Sequence, residues 1–217
     1  MGLNDEVIGS ESVADVQEGL GDGNATCILG KVYKKKWNKN GVDKSAIMAD
    51  LFIVNFTSTS GGGAKMLDTK REGNQIVGLD FPKTAKGEYI TFGQPLRIMF
   101  MEPNETSSQG AINMFKIKRR DFAKKFPGAL VDDKINWGVI QKSAGALISV
   151  DLAKDGKYVN ADIDSISIYN HDPVKQELLV KLYETLDAEI ARRKAAKSAA
   201  VEAPPEAVPV PEDELPF

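Results

Sequence analysis

A short basic segment that includes two aromatic residues carries the strongest chemical signal in this chain of 217 residues. Tyr33 and Trp37 lie among six lysines, which are Lys31, Lys34, Lys35, Lys36, Lys39 and Lys44. Cations follow a phosphate backbone, and aromatic rings stack on unpaired bases at roughly 1–3 kcal/mol per base. The segment therefore predicts a strand end and loop that bind a single-stranded nucleic acid. The alternative is a lysine-rich hairpin edge that discourages strand pairing, with Trp37 against the core.

A second basic and aromatic group contains Phe115, Lys116, Lys118, Arg119 and Arg120. We expect residues 111–118 to form a strand, which would place Lys116 and Lys118 on one side. Residues 119–126 predict one or two helical turns. Phe122 and Phe126 have i, i+4 spacing, so we expect them to pack inward.

Three further residues are candidates for nucleic-acid contact. Lys65 and Arg71 flank a glycine-rich loop at residues 61–63 and are expected to close over a bound strand. The loop lacks the spacing and the Ser/Thr of a phosphate-binding P-loop. Trp137 is a stacking candidate that fits a core position equally well.

The residue types that most enzymes need are scarce. The chain has one histidine and one cysteine, which argues against a His/Cys metal site and a His-dependent catalytic triad. Cys27 lies in an apolar segment and is expected to be buried and unreactive. A nuclease acting on DNA ends is disfavoured because no carboxylate cluster is visible. We therefore predict a non-enzymatic protein without a cofactor or a metal.

The net charge of −3 hides an uneven distribution. Residues 1–22 carry −6 and residues 198–217 carry −5, and neither segment contains Lys or Arg. The remaining body, residues 23–197, therefore carries +8. A basic body with acidic ends is typical of a protein that binds a polyanion.

The pattern along the chain predicts four parts. Residues 1–22 are expected to be a flexible acidic arm. Residues 23–171 contain short β-branched and aromatic runs between turns, which predict a mainly β domain. An OB-fold-like β-barrel is its simplest form, and a β-sandwich is the alternative. Residues 172–199 predict an amphipathic helix, and residues 200–217 predict a disordered, Pro-rich acidic tail.

The tail ends in Glu212, Asp213, Glu214, Leu215, Pro216 and Phe217. Acidic residues would steer this tip to a basic surface, and the terminal aromatic residue would anchor in an apolar pocket. The tip resembles that of bacterial and bacteriophage single-stranded DNA-binding proteins, which end in acidic residues, an apolar residue, Pro and Phe. The body lacks the regular bacterial pattern, so the resemblance is limited to the tip and the general architecture.

The resemblance implies sequence-independent binding and protection of single-stranded DNA during replication, recombination and repair. It also implies that the six tip residues recruit replication and recombination proteins. We expect a bacteriophage-type protein in the host cytoplasm, which suits a single cysteine. No apolar run is long enough to cross a membrane, and a homo-oligomer stays open. The rival interpretation is a protein-interaction adaptor without nucleic-acid binding.

Overall fold

The computed structural model describes residues 20–87, 89, 95–156, 158–169 and 173–202. The strands are β1 (Gly23–Lys39), β2 (Val42–Ser58), β3 (Gly63–Lys65), β4 (Asp68–Glu72), β5 (Gln75–Asp80), β6 (Leu96–Met101), β7 (Leu130–Val131), β8 (Lys134–Ile135), β9 (Leu147–Asp155), β10 (Tyr158–Ala161) and β11 (Ser167–Tyr169). The helices are α1 (Gln109–Lys124), α2 (Trp137–Lys142) and α3 (Gln176–Glu202). The chain divides into two compact units between Leu182 and Tyr183. The predicted mainly β protein with a C-terminal helix is confirmed.

β1 and β2 form a long hairpin at the centre of the fold. They pair antiparallel up to Lys39 opposite Val42. The connecting residues Asn40 and Gly41 have φ angles of 55° and 78°, and a two-residue type I′ turn needs such left-handed values at both positions. Asn and Gly adopt these values more readily than other residues. The loop predicted in the basic segment is therefore confined to these two residues, and its lysines lie in β1 and β2.

The hairpin belongs to a seven-stranded sheet with the order β10-β9-β1-β2-β3, in which β11 also pairs with β9 and β6 with β2. Within the described parts of the chain, no strand pairing joins the β10 edge to the β6 edge, so the sheet is open. The two edges nevertheless approach each other, because Cα atoms of β10 and β6 come within 8 Å.

One face of the sheet carries the main hydrophobic core, and we call it the first face. Alternate residues of β2 from Ile47 to Ile53 belong to this core, as strand pleating requires. Phe122 of α1 is fully buried there. The centroid of its ring lies 4.8 Å from that of Phe100 and 5.1 Å from that of Phe126. The inward packing predicted for Phe122 and Phe126 is confirmed.

The strand predicted over residues 111–118 is wrong, because this segment belongs to α1. The Ser108 hydroxyl caps the helix and accepts a hydrogen bond from the Ala111 N–H at 3.3 Å. Residues on the core side recur at helical spacing, at Phe115, Arg119, Phe122 and Phe126. The helical turns predicted from Arg119 are the C-terminal end of this longer helix.

The last three residues of the predicted arm, residues 20–22, lie against the body. Leu20 is buried, and the Asp22 carboxylate accepts a hydrogen bond from the Lys154 N–H at 2.7 Å. These two contacts tie the last residues of the predicted arm to the body. The rest of the arm, residues 1–19, lies outside the described residues.

The predicted C-terminal helix is present as α3 and reaches Glu202. In the second unit, the Glu189 carboxylate accepts hydrogen bonds from Arg192 at 2.6 Å and Arg193 at 3.0 Å. The hydrogen bond from Arg192 is the main reason that the pKa of Glu189 falls to about 2, against the effect of burial. Residues 203–217, with the predicted tip, lie outside the described residues, so the tail stays a prediction.

Candidate nucleic-acid interface

Strand alternation divides the predicted basic segment between the two faces of the hairpin. Opposite residues of an antiparallel pair point to the same side, and neighbours along a strand point to opposite sides. Lys34 stands opposite Ile47 of the core and therefore points to the first face. Tyr33 stands opposite Met48 and points to the other side, which we call the second face. The three consecutive lysines therefore do not form one patch.

The second face combines aromatic rings with cations near the hairpin turn. The register of β1, β2 and β6 places these side chains on this face: Trp37, Lys39 and Lys44 next to the turn, Tyr33 and Lys35 farther from it, and Arg97 and Met99 opposite Asp50 and Met48. Lys35 and Lys39 are exposed, whereas the two aromatic side chains are half-buried. Accessible rings between cations are the combination that single-strand binding requires.

A buried carboxylate underlies this surface. The Asp50 side chain is 4% exposed, and its Oδ1 lies 3.4 Å from Nε of Arg97. Tyr33 hydrogen-bonds to the same carboxylate. Burial, followed by the Asp50 charge, raises the pKa of Tyr33. The tyrosine hydroxyl therefore stays neutral and available as a donor.

One of the two first-face lysines of β1 is paired with a carboxylate. Lys34 forms an ion pair with Glu102, and the Ser45 hydroxyl donates to the same carboxylate at 2.6 Å. Burial alone would raise the pKa of Glu102. The hydrogen bonds from Lys34 and Ser45, with the charges of Lys34 and Arg119, outweigh it and lower that pKa. Glu102 thus links the two predicted basic groups.

An open cavity of about 560 Å³ lies at the hairpin, lined by Lys34, Lys36, Trp37, Asn38, Asp43, Lys44 and Ser45. On the first face, Lys34 and Lys36 accompany Asp43 in β1, β2 and β6, a net charge of +1, and Glu102 directly after β6 pairs with Lys34. On the second face, four cations accompany only the buried Asp50 among the described residues of β1, β2 and β6, a net charge of +3. Charge therefore favours the second face for a polyanion.

Lys31 lies at a β-bulge that separates the inner and outer parts of β1. Gly30 and Lys31 together stand opposite Asp50 of β2. A bulge of this kind increases the local twist of the strand. Lys31 itself is exposed, next to the buried carboxylate.

Lys65 and Arg71 lie away from the hairpin turn. Lys65 stands opposite Asn55 and pairs with Asp68 at 2.7 Å. Asn55 is seven positions along β2 from Met48, opposite Tyr33, and eleven from Lys44, opposite Trp37. At about 3.3 Å per residue these separations are about 23 Å and about 36 Å. Arg71 is exposed on β4. A ligand that contacts both Lys65 and the aromatic pair must span these distances.

Lys116 and Lys118 are exposed on α1. At about 100° per residue, their side chains point roughly 200° apart around the helix. The shared side predicted for them is therefore wrong. Phe115 is half-buried on the core side of the helix.

The two arginines of α1 differ in their surroundings. Arg119 is half-buried, and its Nε donates to the Phe115 carbonyl at 3.2 Å. Arg120 is exposed and pairs with Asp133 at 2.7 Å. Of these two arginines, Arg119 is the one whose charge helps to lower the pKa of Glu102, the carboxylate that pairs with Lys34.

Trp137 is the first residue of α2. Asn136 caps this helix, and its side-chain oxygen accepts a hydrogen bond from the Gly138 N–H at 3.1 Å. The Trp137 ring packs against the core, with its centroid 6.2 Å from that of Phe100. This contact fits the core position predicted as one of its two roles, and the ring is half-buried, as that of Trp37 is. Cys27 is buried, which raises the pKa of its thiol to about 12.

Sequence reasoning missed Asp50, Arg97 and Met99. Their proximity to Tyr33 depends on the pairing of β2 with β1 and β6, which local sequence does not reveal. One signal was available: Asp50 is the only charged residue in the apolar run 46–54, and buried charges are rare unless they are paired.

A groove of about 510 Å³ lies between α1 and the segment after β10. Met114 and Ile117 are 48% and 58% exposed along it. Asp121, Asp162 and Asp164 also line it. An exposed apolar strip of this kind suits contact with another protein.

Comparisons with protein-family models, with curated proteins and with solved structures find no match. Every helix in the described parts of the chain is too short or too polar to cross a membrane. The arrangement of side chains on the hairpin is therefore the main support for a function.

Proposed function

We propose that this chain is a single-stranded DNA-binding protein that coats exposed strands without sequence preference. The observation that supports it most is the second face, where Tyr33 and Trp37 lie among four cations. Every base has a face on which a ring can stack, so this mode tolerates any sequence. Replication, recombination and repair in a bacteriophage host cytoplasm are the processes that the tip resemblance adds to the proposal.

The proposal includes an OB-fold-like barrel. The strands β10, β9, β1, β2 and β6 form a five-stranded path whose two edges approach within 8 Å. OB-folds are five-stranded, partly open barrels that bind oligonucleotides on one sheet face. The curl of the sheet supports this form.

The first test compares alternate lysines of β1. In the Lys35→Ala/Lys39→Ala variant, we expect weaker binding of oligo(dT). We also expect the slope of log K against log [salt] to be smaller in magnitude by about 1.4. This value follows from about 0.7 for each lost phosphate contact on a single strand. Fluorescence anisotropy at several salt concentrations measures both quantities.

The matched control is Lys34→Ala/Lys36→Ala, which removes the same charge from the first face of the same strand. We expect a clearly smaller loss of affinity, because that face is already neutralised by Asp43 and Glu102. An equal or larger loss in the control would show that the first-face cavity, or general charge, carries the binding.

The second test concerns the tip, residues 212–217. Deleting it should leave DNA affinity equal or higher, because an acidic peptide competes with DNA for the basic face, while partner recruitment is lost. Phe217→Ala separates the two effects, since it keeps the acidic charges and removes the anchor. If the deletion abolishes DNA binding, the proposed role of the tail is wrong.

The α1 groove favours a second candidate, a protein-interaction adaptor. Its exposed Met114 and Ile117 offer an apolar contact that DNA binding does not use. A titration with oligo(dT) and with a duplex of equal length distinguishes the two functions. Preference for the single strand supports the first proposal, whereas binding to neither nucleic acid contradicts it and favours the adaptor.

A further inference from the structure

Asp50 is the buried charge beneath the proposed binding surface. It faces Arg97 across the β2–β6 pair, and the Arg97 side chain is 40% exposed whereas that of Asp50 is 4% exposed. Tyr33 on β1 hydrogen-bonds to the same carboxylate. One carboxylate thus contacts a cation and an aromatic residue from the two strands on either side of it.

Neither packing nor net charge explains a carboxylate at this position. Met48 and Phe52, the neighbouring residues on the same side of β2, are buried and apolar, so an apolar side chain would serve packing. Burying a charge is costly unless its partners compensate. Asp50 also reduces the positive charge of the second face, which on its own disfavours a polyanion.

Asp50 can orient the two side chains that contact it, those of Arg97 and Tyr33. A guanidinium has five N–H donors in a fixed fork, and the contact with Asp50 is made at Nε of Arg97. The terminal nitrogens can then bind a phosphate through two parallel hydrogen bonds. The hydrogen bond from Tyr33 restricts its ring in the same way, so a base meets a ring whose orientation is already set.

We propose that Asp50 is a positioning residue of the single-strand site, holding Arg97 for a phosphate and the Tyr33 ring for a base. The proposal rests on the single-strand binding proposed above. It predicts an effect opposite to that of simple electrostatics: removal of this negative charge weakens the binding of a polyanion.

The test is Asp50→Asn in the full chain, measured with oligo(dT). We expect about tenfold weaker binding, because Arg97 and Tyr33 lose the charge that orients them. Simple electrostatics predicts tighter binding instead. Glu102→Gln is the matched control, because it removes a carboxylate that is paired with a lysine on the first face. Its affinity should be unchanged or slightly tighter.

A double-mutant cycle distinguishes positioning from general loss of structure. In an Arg97→Ala background, Asp50→Asn should cost clearly less affinity than it does in the parent chain, because the side chain that it orients is gone. An equal cost in both backgrounds would overturn the assignment for Arg97.

The outcomes separate this inference from the proposed function. If the parent chain does not bind oligo(dT), the proposed function fails. If the parent binds and Asp50→Asn binds equally well or better, only the positioning role fails. Should circular dichroism show that Asp50→Asn does not fold, Tyr33→Phe takes its place, since it keeps the ring and the pair with Arg97. We expect twofold to fivefold weaker binding, and parental affinity would overturn the proposal.

Discussion

The Phe122→Ala variant is expected to lose about 3–5 kcal/mol in free energy of unfolding, the usual effect of truncating a buried phenylalanine. Phe122 is fully buried and contacts the rings of Phe100 and Phe126. The lost ring would leave a cavity where α1 meets β6. For a chain of this size, the melting temperature should fall by roughly 6–20 °C. Urea unfolding followed by circular dichroism measures the change.

Ile117→Ala on the same helix is the control. Ile117 is 58% exposed, so we expect its truncation to cost less than about 1 kcal/mol. A strand over residues 111–118 would instead point Ile117 inward, between Lys116 and Lys118. A large loss from Ile117→Ala with a small loss from Phe122→Ala would therefore contradict the helical assignment of this segment.

Trp37→Ala is expected to weaken oligo(dT) binding by about 5- to 150-fold, the equivalent of about 1–3 kcal/mol for one stacked base. The ring is half-buried on the second face, opposite Lys44. Because the proposed role of the ring is to contact the ligand, stability should change little compared with affinity. Anisotropy titration gives the affinity, and thermal unfolding gives the stability.

The chain has two tryptophans, so fluorescence can assign the contact. Trp137 packs against the core beside Phe100. In Trp137→Phe, only Trp37 reports, and we expect quenching by oligo(dT) to be retained. In Trp37→Phe it should disappear. Quenching that follows Trp137 instead would place the ligand on the other side of the sheet.

Local sequence was sufficient where one short segment determines the structure. Asn40 and Gly41 are suited to left-handed backbone values, so the hairpin turn was predictable from two residues. The segment 111–118 was not, because its mixed polar and apolar residues fit a strand as well as a helix. The Ser108 cap and the packing of Phe122 on Phe100 favour the helix. The contact between Phe122 and Phe100 is long-range, so the local sequence does not reveal it.

The composition of the candidate site was predictable, but its geometry was not. A run of lysines around Tyr33 and Trp37 indicates an affinity for polyanions. Only the pairing of β1 with β2 shows that alternate lysines point to opposite faces. Arg97 joins the site through the register of β6, and no pattern near the lysine run contains that information.

The two-residue turn also fixes which side chains meet across the hairpin. Lys39 stands opposite Val42, and from there each residue of β1 has a set partner on β2 up to the bulge. A loop longer by one residue would let β2 slip by one position, and a slip of one position moves every side chain to the other face. Lys44 and Asp50 would then leave the side of Trp37. Asn40 and Gly41 contact no ligand in this proposal. They nevertheless determine, through the register of β1 and β2, which side chains form the second face.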